Sequence, residues 1–173
     1  YDISIPISRI QLTTNNNNIN FNSTIISDGT GVNLKIDSGT GSLTFDNTVG
    51  TNNLIHELDL DTADLNLNGA ITSQGKVDIT SQNSITLAHD HNFSSADIRV
   101  AADNGSFSIN TGSTISSRNG ALNIIADDID ISGSINAANQ TVTLSSHTSG
   151  DAIDLGDTAD DSTDTLELSD AEL

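Results

Sequence analysis

The sequence predicts an all-β fold, a single solenoid of about seven coils of roughly 22 residues with three short strands in each. Three observations carry that prediction. First, fifteen times along the chain two apolar residues flank one polar residue, in two interleaved series. One series runs through Ile19/Phe21, Leu43/Phe45, Leu65/Leu67, Ile85/Leu87, Phe107/Ile109, Ile129/Ile131 and Ile153/Leu155, at steps of 24, 22, 20, 22, 22 and 24. The other follows 12 to 15 residues behind: Ile10/Leu12, Leu34/Ile36, Leu58/Leu60, Val77/Ile79, Ile98/Val100, Leu122/Ile124, Val142/Leu144 and Leu166/Leu168. Period-two alternation inside so long a repeat means short strands stacked on copies of themselves. Second, turn formers separate the triplets: Asp28 to Gly31, Asp37 to Gly41, Ser73 to Gly75, Asp103 to Gly105, Arg118 to Gly120 and Ala138-Asn139. Gly and Asn tolerate the positive φ of a sharp corner, so these clusters mark where a coil bends. Third, one Tyr, four Phe and no Trp or Met in 173 residues suit a narrow bore of Ile, Leu and Val better than a bulky interior.

Taken in order, the elements are as follows. Residues 1–18 form an incoming strand and cap, where Ile3, Ile5 and Ile7 alternate and Pro6 limits pairing on one side. Asn15 to Asn18 make a polar corner, read as an asparagine ladder. Residues 19–150 are regular coils, each with a third short strand marked by Ile25, Val49, Ile71, Phe93, Ile115 and Ile135. Residues 151–173 are an acidic C-terminal coil, with Thr158 to Asp164 as a mobile loop. Helix competes poorly throughout, because residues at i and i+2 point roughly 200° apart on a helix and half the apolar set would face water. At about 4.8 Å per rung, seven coils make a rod on the order of 35 Å long, with ends that need caps or continuation. The chain reads as one domain and as a piece of a longer polypeptide, since it begins at Tyr1 and contains no Met.

Charge excludes whole classes of partner. Five Lys and Arg against 24 acidic residues give a formal net charge of -19, which repels nucleic acid and anionic membrane surfaces. Nine of the carboxylates lie between Asp151 and Glu172, and no Lys or Arg follows Arg118. Zero Cys excludes a disulfide framework, thiolate metal sites and cysteine nucleophiles. No apolar run reaches the roughly 20 residues of a membrane helix, and abundant Asn, Ser, Thr and Gly with little Lys point to a secreted protein.

Candidate chemistry is sparse. Calcium takes oxygen ligands, so the acidic end offers the best metal site: Asp151, Asp154, Asp157, Asp160, Asp161 and Asp164, with Asp127 and Asp128 adding to that side. A solvated acidic cap is the plainer reading, since no EF-hand or nonapeptide calcium spacing is present. His89-Asp90-His91 would project two imidazoles to one side of an extended segment and could share a metal, although a solvated loop is the stronger reading. Asn22, Asn92, Asn104 and Asn139 begin Asn-x-Ser/Thr acceptors, a number close to accidental in this composition. The register places outward Lys35 over Asp59 and Asp78 beside Arg99 on one face, and Asp130 over Asp154. Asp59 and Asp78 are the one plausible outward carboxylate pair near basic residues. With no Trp to stack a sugar ring, catalysis has little support.

The segment Leu65-Asn66-Leu67-Asn68-Gly69-Ala70-Ile71-Thr72-Ser73-Gln74-Gly75-Lys76-Val77-Asp78-Ile79 resembles the repeat unit of filamentous-haemagglutinin-like bacterial exoproteins. Ile129-Asp130-Ile131-Ser132-Gly133-Ser134-Ile135 repeats it, and Ile153-Asp154-Leu155-Gly156 followed by Leu166 to Leu173 is similar to a phrase between their repeat blocks. The resemblance implies a right-handed parallel β-helix, an extracellular location at the bacterial cell surface, and a role as shaft or adhesive surface. The expected partners are neighbouring segments of the same polypeptide, copies of itself, or host and surface glycans. A second reading is a filament or sheath subunit polymerising head to tail, and a third is a polysaccharide-active enzyme.

Overall fold

The computed structural model describes residues 8–26, 31–50, 55–94, 97–157 and 165–169. Parallel strands climb in a β-solenoid with three walls. The first wall stacks six strands, β2 (Ile19–Phe21), β4 (Leu43–Phe45), β6 (Leu65–Leu67), β9 (Ile85–Leu87), β12 (Ser106–Ile109) and β15 (Asp128–Ile131). The second stacks β1 (Ser8–Thr13), β3 (Val32–Asp37), β5 (Ile55–Thr62), β8 (Val77–Ser81), β11 (Asp97–Ala102), β14 (Ala121–Ile125) and β17 (Val142–Ser145). The third begins with bridges from Ile25 to Val49 to Ile71, then continues through β7 (Ile71–Ser73), β10 (His91–Phe93), β13 (Thr114–Ser117) and β16 (Ser134–Asn136). A last pair, β18 (Ala152–Asp157) and β19 (Thr165–Ser169), stands apart as its own two-stranded sheet.

Alternation inside each strand builds the core. In β3, β4, β6, β8 and β9 every second residue is buried and the one between is half-exposed. The parallel register then puts like on like: Leu67, Leu87, Ile109 and Ile131 are successive partners, the first three buried and Ile131 packed at the margin. Phe21 and Phe45 stack with ring centroids 5.0 Å apart and planes 7° from parallel. On the second wall the column Ile10, Leu34, Leu58, Val77, Ile98, Leu122, Val142 advances by 24, 24, 19, 21, 24 and 20 residues without losing register. Corners absorb the difference.

Two devices make those corners. Small inward hydroxyls answer the bending carbonyls: Ser38 Oγ donates to Gly41 O at 2.7 Å, Ser81 Oγ to Ala63 O at 2.6 Å and Ser117 Oγ to Gly120 O at 2.6 Å. Buried carbonyls left without such partners would cost about 1–3 kcal/mol each. Close approach is the other device, since a Cβ built on Gly69 would stand 2.3 Å from the Asn47 carbonyl carbon one coil away.

Three expectations need correction. The regular stack has six first-wall rungs rather than seven, because Ile153 and Leu155 lie in β18, which pairs with β19 and not with β15. Asp154 is therefore opposite Glu167 instead of over Asp130, and Leu166 and Leu168 join the core beside β15 rather than extending the β17 column. The cause is the bend at Ser146 to Asp151, where Gly150 takes φ +98° and the segment is tied back to Asp127. On the third wall Phe93 lies buried in β10 as expected, but it is His91 that pairs with Ile71 and Ile115, while Phe93 stands opposite Ser73 and Ser117. Finally, Asn16 and Asn18 do not stack as a ladder. Their Oδ1 atoms cap the next coil, accepting from Thr40 N at 3.1 Å and Ser42 N at 2.9 Å. The alternation Ile3, Ile5, Ile7 and the loop Thr158 to Asp164 lie outside the described residues.

Candidate functional site

The outer surface of the second wall concentrates the cations. Parallel pairing places Gln11, Lys35, Asp59, Asp78, Arg99, Asn123 and Thr143 in one outward row, as the register predicts. Lys35 Nζ meets Asp59 Oδ2 at 2.6 Å, and Asp78 is held between Lys76 Nζ at 3.0 Å and Arg99 Nη1 at 3.4 Å. Arg99 also donates to Thr80 Oγ1 at 2.8 Å. Burial alone would raise the Asp78 pKa, but the Lys76 hydrogen bond and charge, with Arg99 behind them, hold it below the ordinary carboxylate value. A carboxyl held ionised in this way is poorly poised as a general acid. Asp61 is pushed the other way, by burial first and then by the neighbouring charge of Asp37, against the pull of Lys35.

Beside that row lies a recess of about 260 Å³ lined by Arg9, Asn33, Leu34, Lys35, Glu57 and Asp59. Asn33 Nδ2 donates to Glu57 Oε2 at 2.7 Å, while the Asn33 Oδ1 atom is buried without a hydrogen-bond partner. Two cations, two carboxylates and an amide in a shallow concavity suit a polyhydroxylated or zwitterionic ligand. A smaller recess of about 160 Å³ on the third wall is lined by Asn92, Ser116, Ser117, Arg118, Asn136 and Ala138.

Of the six candidates from Asp151 onward, Asp151 is the one whose side chain is described. The Ser146 hydroxyl lies 2.9 Å from both Asp127 Oδ1 and Asp151 Oδ2, so the fold brings those two carboxylates to one point. Burial would raise the Asp127 pKa, but Thr148, through its N–H and hydroxyl, and Ser146 outweigh it and lower the value. Asp154 and Asp157 belong to the β18 backbone, while Asp160, Asp161 and Asp164 lie outside the described residues. Among the described residues no three His or acidic side chains converge as metal ligands.

The His89-Asp90-His91 cluster divides. His89 and Asp90 are exposed, as the solvated-loop reading expects, whereas His91 enters β10 and is 1% exposed inside the bore, so the two imidazoles do not face one side together. A signal for this was in the spacing. The third-wall residue follows the end of the first triplet by four in Phe21 to Ile25, Phe45 to Val49, Leu67 to Ile71 and Ile131 to Ile135, and four beyond Leu87 is His91. Of the glycosylation acceptors, Asn22, Asn104 and Asn139 are exposed and Asn92 is half-buried.

No protein-family model, curated protein or solved structure matches this chain.

Proposed function

We propose that the chain is a structural and adhesive segment of a large secreted bacterial surface protein of the filamentous-haemagglutinin-like kind, a rigid shaft whose second wall contacts polar surface glycans. One observation carries the reading: an uninterrupted parallel ladder runs from β1 to β17, and its outward row is ionic and amide-rich, with a recess beside it. Shaft and surface are the same wall. Head-to-tail polymerisation is the weaker alternative, since Leu166 and Leu168 of β19 already pack into the C-terminal end of the bore beside β15. A polysaccharide-cleaving role is weaker again, given the ionised, ion-paired Asp78.

Beads coated with the protein, tested on arrayed neutral and acidic polysaccharides and on host cell surfaces, check the proposal. Attachment that falls at least tenfold in the double variant Arg9→Ala, Lys35→Ala supports it. Attachment indifferent to that variant, or none above bare beads, refutes the adhesive role. Turnover of any of those glycans that Asp59→Asn or Asp78→Asn abolishes would replace it with the enzymatic one.

A further inference from the structure

His91 is the only ionisable side chain among the described residues that is fully buried. It occupies an aliphatic position, in a column that otherwise reads Ile25, Val49, Ile71, Ile115 and Ile135. Its ring lies 6.4 Å from that of Phe93, at 21°. Neither Nδ1 nor Nε2 has a hydrogen-bond partner. A neutral imidazole in that setting forgoes a donor and an acceptor; an imidazolium brings two donors and a charge into a bore that offers no acceptor. The charged groups acting on the ring are His89, which repels the cation, and Asp90, which attracts it, both in the turn before its own strand. The flanking strands β7 and β13 contribute Ile71 to Ser73 and Thr114 to Ser117, none of which ionises.

The wall around this ring is thin. Strand β10 has three residues, and in a solenoid each rung is held only by its neighbours, so opening can be local. We propose that the β7, β10, β13 wall is an acid-released clasp: on gaining a proton His91 leaves the bore for water and Asp90, and this wall opens while the second wall stays stacked. Burial, then the charge of His89, lower the ring's pKa from 6.5 to about 4. Between those values the open form binds a proton that the closed form does not, so acid favours opening. Above pH 6.5 the equilibrium is flat; below it, opening grows about tenfold per pH unit until the closed form itself protonates.

Hydrogen exchange read by mass spectrometry from pH 7.5 to 5, corrected for intrinsic rates, tests this while most carboxylates remain ionised. Amides of β7, β10 and β13 should lose about 30-fold in protection between pH 7.5 and 5, following from the 6.5 reference value. Those of β5, β8 and β11 should hold theirs, and His91→Ile, which restores the column's own residue, should abolish the change. A parallel proton NMR titration of the wild-type His91 ring needs no variant: it should stay neutral in the closed form down to about pH 4. Titration near the ordinary value in a closed protein, the same pH profile in His91→Ile, or loss spread evenly over all walls overturns the proposal.

Discussion

Gly69→Ala should damage the stack far more than Gly112→Ala, although both remove a glycine from a corner. The Cβ at position 69 would meet the Asn47 backbone at 2.3 Å from C, 2.4 Å from O and 2.7 Å from Cα. Ordinary carbon contacts begin near 3.5 Å, so adjacent coils must part locally by about 1 Å. Two ladder bonds flank the spot, Asn68 N and Gly69 N both donating to Phe45 O at 3.0 and 3.1 Å. Stretched by about 1 Å they no longer count as hydrogen bonds. Losing two at about 1 kcal/mol each, with a buried carbonyl left short of partners, gives a cost of about 3 kcal/mol. Gly112 has open space around it and only its φ of +81° to resist the change, a strain of about 1 kcal/mol. Urea denaturation of wild type and both variants, followed by far-ultraviolet circular dichroism, measures the gap of about 2 kcal/mol. Equal midpoints, or Gly112→Ala the worse of the two, would refute the argument that coils touch backbone to backbone at this corner.

Other expectations follow from the packing and the charges. Leu67→Ala removes three carbons from a fully buried position and should cost about 2–5 kcal/mol in the same denaturation; less than about 1 would mean the bore collapses freely. A double-mutant cycle on Lys35 and Asp59 should yield about 0.5 kcal/mol despite the 2.6 Å contact, and lose most of it in 1 M salt, because both side chains remain partly wet. Asp127→Asn should destabilise the Ser146 to Asp151 bend at neutral pH. The wild-type carboxyl has a lowered pKa, so its contribution is present above 3.8 and fades as pH falls through the folded value, where thermal melts of wild type and variant should converge.

The walls were legible because alternation and repeat length report the same geometry twice. Leu67, Leu87 and Ile109 could be stacked from spacing alone, and the Lys35, Asp59, Asp78, Arg99 row follows from that register. What spacing could not rank was chemistry against position. Phe93 is inward, as its apolar side chain suggests, yet the four-residue corner after Leu87 puts His91 rather than Phe93 in the isoleucine column, and the small Ser73 and Ser117 leave Phe93 its room. The C-terminal departure was invisible for a different reason. Ile153/Leu155 and Leu166/Leu168 keep the triplet pattern, whereas the bend that diverts them rests on Asp127, Ser146 and Thr148, polar side chains with no periodic signature. The recess around Asn33 likewise depends on side-chain reach across rungs, which register alone does not reveal.

The uneven advance of the second-wall column, from 19 to 24 residues per coil, has a consequence for how such a shaft changes over time. Its perimeter is elastic where the chain turns and inelastic where it runs straight. Insertions and deletions can accumulate at the bends, decorating the outside with new loops, while the calibre of the rod and the alignment of its rungs pass unchanged to its descendants.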